Sequence, residues 1–298
     1  MEIIHIQHPI SDSLKSKMEP CALALGFFDG VHKGHQKLLQ RTKDIAKRNK
    51  LTFAVMTFFP HPREIINPKQ GKMKYLTPMV SKEERFLEMG VEKLFVVQFD
   101  PYFSSLSPEE FVSQYIIGVN CKHVIAGFDY HYGRMGKGNM ETLEKDGKGK
   151  FSVTTVSKMD HVGEKISSTA IRQLLSIGNV NLIPHFLGDY YKVKGMVQQS
   201  SLFYKNNQFL KIKIDESYRI PANGVYNVFV DIEGSRFNGV CHQVTHKNNN
   251  ASLLVHLSNC FIDTSLKQVN VTWLQKVFTK QKEHSDFRQY FVYDEIVI

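Results

Sequence analysis

No stretch of this chain approaches the ~18 consecutive apolar residues that a membrane-spanning helix needs. Its first residues, Met1-Glu-Ile-Ile-His-Ile6, lack the basic-then-apolar pattern of a secretory leader. An unprocessed, soluble, cytoplasmic protein without a membrane partner is therefore expected. Cysteine is scarce: Cys21, Cys121, Cys241 and Cys260 include no C-x-x-C pair, which argues against a disulfide framework and a structural zinc. Acidic residues are outnumbered, 29 Asp plus Glu against 38 Lys plus Arg for a formal charge of +9. The basic residues never gather into a block of about five or six, so the charge suits an anionic small ligand, and nucleic acid is not an expected partner. Also absent are G-x-G-x-x-G, the G-x-x-x-x-G-K-[ST] phosphate loop, H-E-x-x-H, internal repeats and low-complexity tracts.

What is present is a folded composition, 42% apolar and 22% charged over 298 residues, enough for two domains that each bury a core. The first part alternates strand-like and helix-like runs. Cys21–Leu25, Leu51–Phe58, Lys93–Phe99 and His123–Ala126 read as strands. Helices are predicted after His35, from a Ser81 cap to Gly90, and from Ser107. Such alternation predicts a parallel sheet with helical crossovers, an open α/β fold whose ligands sit beyond the carboxyl ends of the strands.

The pattern changes near Pro184–Gly188. Tyr190–Val197, Phe209–Ile214, Val225–Val230 and Ser252–Leu257 are short alternating runs separated by polar turns such as Glu233-Gly-Ser235 and Asn248-Asn-Asn250, as in an antiparallel sheet or barrel. Leu274–Lys282 reads as a terminal helix. The expected domains are residues 1–185 and 186–298.

Two segments carry chemistry. Leu25-Gly-Phe-Phe-Asp-Gly-Val-His-Lys-Gly-His35 joins a strand to a helix. Its glycines permit close backbone approach, the helix start offers unpaired N–H groups, and His32 and His35 lie three residues apart, facing one anion. Ile166-Ser-Ser-Thr-Ala-Ile-Arg172 opens a second helix, with Ser167 or Ser168 as cap and Gly178 as stop. Its hydroxyls and the forked donors of Arg172, about one turn later, suit phosphate oxygens.

Together these H-x-G-H and I-S-S-T-x-x-R segments resemble the signatures of the nucleotidyltransferase superfamily. With Thr57-Phe-Phe-Pro-His-Pro62 and Gly127-Phe-Asp-Tyr-His-Tyr-Gly133 they resemble, more narrowly, the prokaryotic FAD synthetases. The resemblance implies a Rossmann-like nucleotidyltransferase domain followed by a smaller antiparallel β-barrel like that of riboflavin kinases, with ATP and FMN as substrates and Mg²⁺ as the accompanying ion. It implies that His32, His35 and Arg172 are catalytic and that Gly26, Phe27, Gly34, Ser168 and Thr169 hold ATP. Phe28 and Phe58 would line the flavin pocket. Asp129 would face either the flavin or the metal-phosphate region, and no dedicated metal ligands are expected.

The second half departs from the family pattern. Pro221-Ala-Asn-Gly-Val-Tyr226 matches the block P-x-x-G-V-Y, but Tyr204–Ile214 contains neither P-T-A-N nor any glycine. Leu254 of Leu253-Leu-Val-His-Leu257 stands where the family has its glutamate base, and an aliphatic side chain takes no proton. His242–Lys247 replaces the N-I-G-x-R-P-T turn. The expected function is FMN adenylyl transfer with riboflavin kinase activity lost. The alternatives are a bifunctional enzyme or a non-catalytic flavin-binding regulator, and the oligomeric state is left open.

Overall fold

A computed structural model describes residues 1–203, 207–245, 251–258, 260, 264 and 266–277. They fall into two compact units, Met1–Ala170 and Ile171–Ile298.

The first unit runs β1 (Glu2–Ile6), α1 (Asp12–Lys15), β2 (Cys21–Leu25), α2 (Lys33–Asn49), β3 (Thr52–Phe59), α3 (Pro62–Ile66), α4 (Met79–Glu88) and β4 (Lys93–Gln98). It continues through α5 (Pro101–Ser105), α6 (Pro108–Phe111), β5 (Cys121–Gly127), α7 (Met140–Gly147), β6 (Ser152–Val156) and a small hairpin, β7 (Asp160–His161) with β8 (Glu164–Lys165). Helix α8 (Ser168–Ile177) starts in this unit. The sheet order is β1-β4-β3-β2-β5-β6, and every pairing is parallel.

Strand β2 is buried on both faces, as a central parallel strand must be. Ala22 and Ala24 pack towards Leu38, Leu39 and Ile45 of α2 and Phe86 of α4, while Cys21, Leu23 and Leu25 pack into a second cluster with Met56, Phe95, Phe103 and Tyr115. After β2 the chain builds outwards through β3 and β4, then crosses back to β5. The strand order therefore reverses between β2 and β5, which opens a crevice at their carboxyl ends.

Helix α2 forms because Leu38, Leu39, Thr42, Ile45 and Ala46 recur on one face while its last turn carries Lys47 and Arg48 against the negative helix end. Helix α4 begins before the predicted Ser81 cap. Pro78 precedes its first turn and its carbonyl accepts from Lys82 N–H at 2.9 Å, so Ser81 lies inside the helix.

In the second unit, α8 ends at Gly178, which adopts φ +75°, and α9 (Ile183–Leu187) follows. Strands β9 (Tyr191–Phe203), β10 (Asn207–Ile214), β11 (Val225–Ile232), β12 (Ser235–Thr245), β13 (Ala251–Leu257) and β14 (Gln268–Val277) close into an antiparallel barrel, ordered β10-β13-β12-β11-β14-β9. Alternation drives closure: Leu210, Ile212, Val228, Val230, Leu253, Val255, Val271 and Trp273 are buried, and their chain neighbours in β10 and β11 lie outside or at partial depth, as do Leu254 and His256 in β13.

The expected terminal helix from Leu274 is corrected. Residues 268–277 are the barrel's sixth strand, hydrogen-bonded to β11 and β9, and residues 278–282 lie outside the described residues, as do the Asn248–Asn250 turn and residues 204–206. The two compact units meet within α8, between Ala170 and Ile171. The end of α8 belongs with the barrel unit, where Ala222 N–H donates to the Leu175 carbonyl at 2.8 Å.

Candidate active site

The turn after β2 occupies the crevice position. It is held in an uncommon backbone shape, with Phe28, Gly30 and Val31 all at positive φ (57°, 83° and 41°). Its Phe27 carbonyl accepts two hydrogen bonds, from Thr57 Oγ1 of β3 at 3.0 Å and from Lys82 Nζ of α4 at 2.7 Å. The Asp29 carboxylate, 2% exposed, accepts from the backbone N–H groups of Leu76 and Thr77 at 3.2 and 3.0 Å, tying the turn to the loop before α4.

His32 caps α2 with its ring. Its Nδ1 accepts from His35 N–H at 3.3 Å, which leaves the ring proton of the neutral imidazole on Nε2. The two imidazoles stack with centroids 3.7 Å apart and 15° between planes. Gly34 fits closely there, since a Cβ would lie 3.1 Å from the His32 ring and push on it.

Burial pulls the His32 pKa down to about 4. Backbone hydrogen bonding and Asp129 oppose that shift, and Lys165 reinforces it. The His35 pKa is also lowered, first by burial and then by His32 and Lys82. Both rings are neutral at neutral pH and act as N–H donors rather than as cations. His35 Nδ1 is buried without a hydrogen-bond partner among the described residues.

The start of α8 meets this turn. Ser167 is the cap, its Oγ accepting from Ala170 N–H at 3.2 Å, and Ser168 Oγ donates to the Asp29 carbonyl at 2.8 Å. Asp29 therefore contacts three segments: its own turn, the approach to α4 and the head of α8. Thr169 is exposed on the first turn of α8, and Arg172 follows one turn along the same helix.

Asp129, in the loop after β5, is exposed and paired with Lys165 at 2.6 Å, and Lys165 Nζ lies 4.8 Å from the centroid of the exposed Phe128 ring. Gly26 and Phe27 sit in the turn. The Phe27 ring packs edge-on to His61 at 4.3 Å and carries Lys82 Nζ 4.2 Å from its centroid.

The two rings expected to line a flavin pocket are placed differently. Phe28 is 1% exposed, edge-on to His35 and Phe86 beneath the turn. Phe58 is 8% exposed against Phe99 and Phe103. Alternation along β3 and the positive φ of Phe28 turn both side chains into the core.

Sequence reading did not single out Asp29, Thr57 or Lys82. Asp29 and Thr57 stand inside the quoted motifs, but Lys82 carries no local signal. Among the described residues no group of three or more His, Cys, Asp or Glu side chains is assembled for a metal.

A parallel sheet with reversed strand order, a histidine-capped helix at the reversal and a second helix start joined to it make an anion-binding crevice, the setting expected of the nucleotidyltransferase-like motifs. The comparisons narrow the class. A family model for FAD synthetase matches residues 14–170. The bifunctional riboflavin kinase/FMN adenylyltransferase of Bacillus subtilis is 41% identical over 244 residues, which span 81% of this chain and 77% of the relative. That of Listeria monocytogenes is 36% identical over 281 residues, 92% and 89% of the two chains. A solved structure from Streptococcus pneumoniae, described as a macrolide-efflux protein, superposes with a TM-score of 0.83 at 28% identity, covering 100% of this chain and 98% of that one. The chain belongs to the FAD synthetase family. No helix among the described residues is long and apolar enough to cross a membrane.

Proposed function

We infer that the chain transfers the adenylyl group of ATP to FMN, giving FAD and pyrophosphate, and that its barrel does not phosphorylate riboflavin. The observation that carries the first part is the bond from Ser168 Oγ to the Asp29 carbonyl, which joins the two phosphate elements into one site. In the reaction an oxygen of the FMN phosphate forms a bond to the α-phosphorus of ATP. The bond from that phosphorus to the bridging oxygen breaks, and pyrophosphate leaves with the negative charge. Positioned donors supply the acceleration.

His32, through Nε2–H, and His35 bind the α- and β-phosphates. Ser168, Thr169 and Arg172 grip the β- and γ-phosphates, and Gly26, Phe27 and Gly34 shape the turn around them. The flavin side is assigned to Asp129, which pairs with Lys165 beside the exposed Phe128 ring. Mg²⁺ enters with ATP as the substrate complex. The working domains are residues 1–185, which include all of α8, and 186–298.

The barrel reading rests on register. Leu254 pairs with Lys211 on one side and His242 on the other, so no carboxylate stands at or directly beside the position of the family's base. Asn207–Ile214, where relatives carry P-T-A-N, is a strand hydrogen-bonded on both edges. The bifunctional reading is favoured by both bacterial relatives, each a bifunctional riboflavin kinase/FMN adenylyltransferase. Supplying FMN and riboflavin separately with MgATP decides: FAD should form from FMN alone, and any FMN or FAD made from riboflavin refutes the loss of kinase activity.

A further inference from the structure

Helix α4 buries two side chains, Lys82 and Phe86, one helical turn apart on a single face. Both press on the underside of the phosphate turn. Lys82 Nζ donates to the Phe27 carbonyl at 2.7 Å, and Phe86 meets Phe28 edge-on at 5.6 Å, which in turn meets His35 edge-on at 5.2 Å. Lys82 is 1% exposed. Burying an ammonium is costly, and a methionine would fill the same space at no such cost, so packing does not account for the lysine.

We propose that Lys82 is a positioning residue for adenylyl transfer, a fixed buried charge that clamps the Phe27 carbonyl from below and holds the Gly26–His35 turn against the phosphates of ATP. The proposal rests on the phosphate-site reading above and adds a residue to it. Three features agree with it. Thr57 Oγ1 grips the same carbonyl at 3.0 Å, so the turn is held from β3 and α4 together. Asp29, two residues on, anchors the approach to α4 through Leu76 and Thr77 and favours the charged form of Lys82, whose pKa burial pulls down to about 8. The ammonium also adds to burial, the first cause, in keeping His35 neutral. A positive charge beneath the turn strengthens as negative charge gathers on the phosphates above it.

The test is Lys82→Met, which keeps the stem and deletes the charge, alongside Thr57→Val and the double variant. Lys82→Met should fold normally by circular dichroism and lose about 10- to 100-fold in FAD formation. The NMR titration of the His35 ring should move up while staying below the ordinary histidine range, because burial, the larger cause, remains. Because both side chains act on one carbonyl, the double variant should lose less than the product of the single losses. A folded Lys82→Met with turnover within about twofold of the parent and an unmoved His35 titration overturns the proposal, as do losses that simply multiply. If Lys82→Met does not fold, the Lys82 ¹⁵Nζ resonance of the parent protein decides: ATP should shift it, and an unmoved signal overturns the clamp. A parent chain that releases no pyrophosphate from ATP and FMN refutes the adenylyltransferase reading instead, and the His35 titration and Lys82 resonance then judge the clamp alone.

Discussion

His35 stacks on one imidazole, meets a phenylalanine edge and keeps an unpartnered ring nitrogen among the described residues, so its own contacts contribute little that a smaller side chain would forfeit in folding. His35→Ala should therefore fold and lose about 10²- to 10³-fold in FAD formation, the usual cost of deleting a donor to developing charge. Unimpaired turnover in a folded variant contradicts the phosphate assignment. His32 makes a different demand. Its pKa is 6.5 when unperturbed and about 4 in the folded state, so the unfolded chain takes up the proton first as pH falls. The stability present above pH 6.5 is lost progressively towards about pH 4, by up to about 1.4 kcal/mol per pH unit for each such histidine. His35 shifts in the same direction, while Asp129 opposes the shift of His32. The urea midpoint should accordingly drop between pH 7 and pH 5, and a flat profile contradicts the burial of these rings.

Among the elements, α2 ends on Lys50 in the left-handed conformation, φ 53° and ψ 45°, where glycine sits without strain. Lys50→Gly should stabilise the first unit by about 1 kcal/mol in denaturant titration, leaving turnover unchanged because Lys50 lies at the far end of α2 from the histidines. The parallel strands β2 to β5 were legible in sequence because each is a short apolar run bounded by turn residues. Barrel strands β9, β10, β11 and β13 were legible by alternation. Strand β12, Ser-Arg-Phe-Asn-Gly-Val-Cys-His-Gln-Val-Thr, was not, since Gly239 and a polar start break the period. In β14, Trp273-Leu-Gln-Lys-Val277 spaces its apolar residues as a helix would, and pairing on both edges overrides that local pattern. Ser81 misled for another reason: it has the chemistry of a cap, but Asp29 fixes the chain at Leu76 and Thr77, and α4 then starts from Pro78. The histidines and Ser168 were visible because motifs are local. Lys82 was invisible because its partner, the Phe27 carbonyl, is 55 residues away.

For the whole molecule, substrate choice is the decisive property, and the charge of +9 suits two anionic substrates. On the proposed loss of kinase activity, Leu254→Glu should fold, because the side chain faces outward at partial burial, and should still make no FMN from riboflavin and MgATP, since the chain also lacks P-T-A-N. FMN produced by that single variant would locate the whole defect at one residue.

Closure of the barrel has a consequence for how such a chain ages. Its stability resides in side chains pointing inward, and each strand edge is occupied by a neighbour. Side chains on the outer face stand on the same strands without sharing that core. Inward and outward positions alternate, so mutation can erase the outer set one residue at a time while the inner set remains under unchanged selection for folding. A barrel of this kind can keep its shape while its outer side chains change, and a likeness in fold persists longer than a likeness in activity.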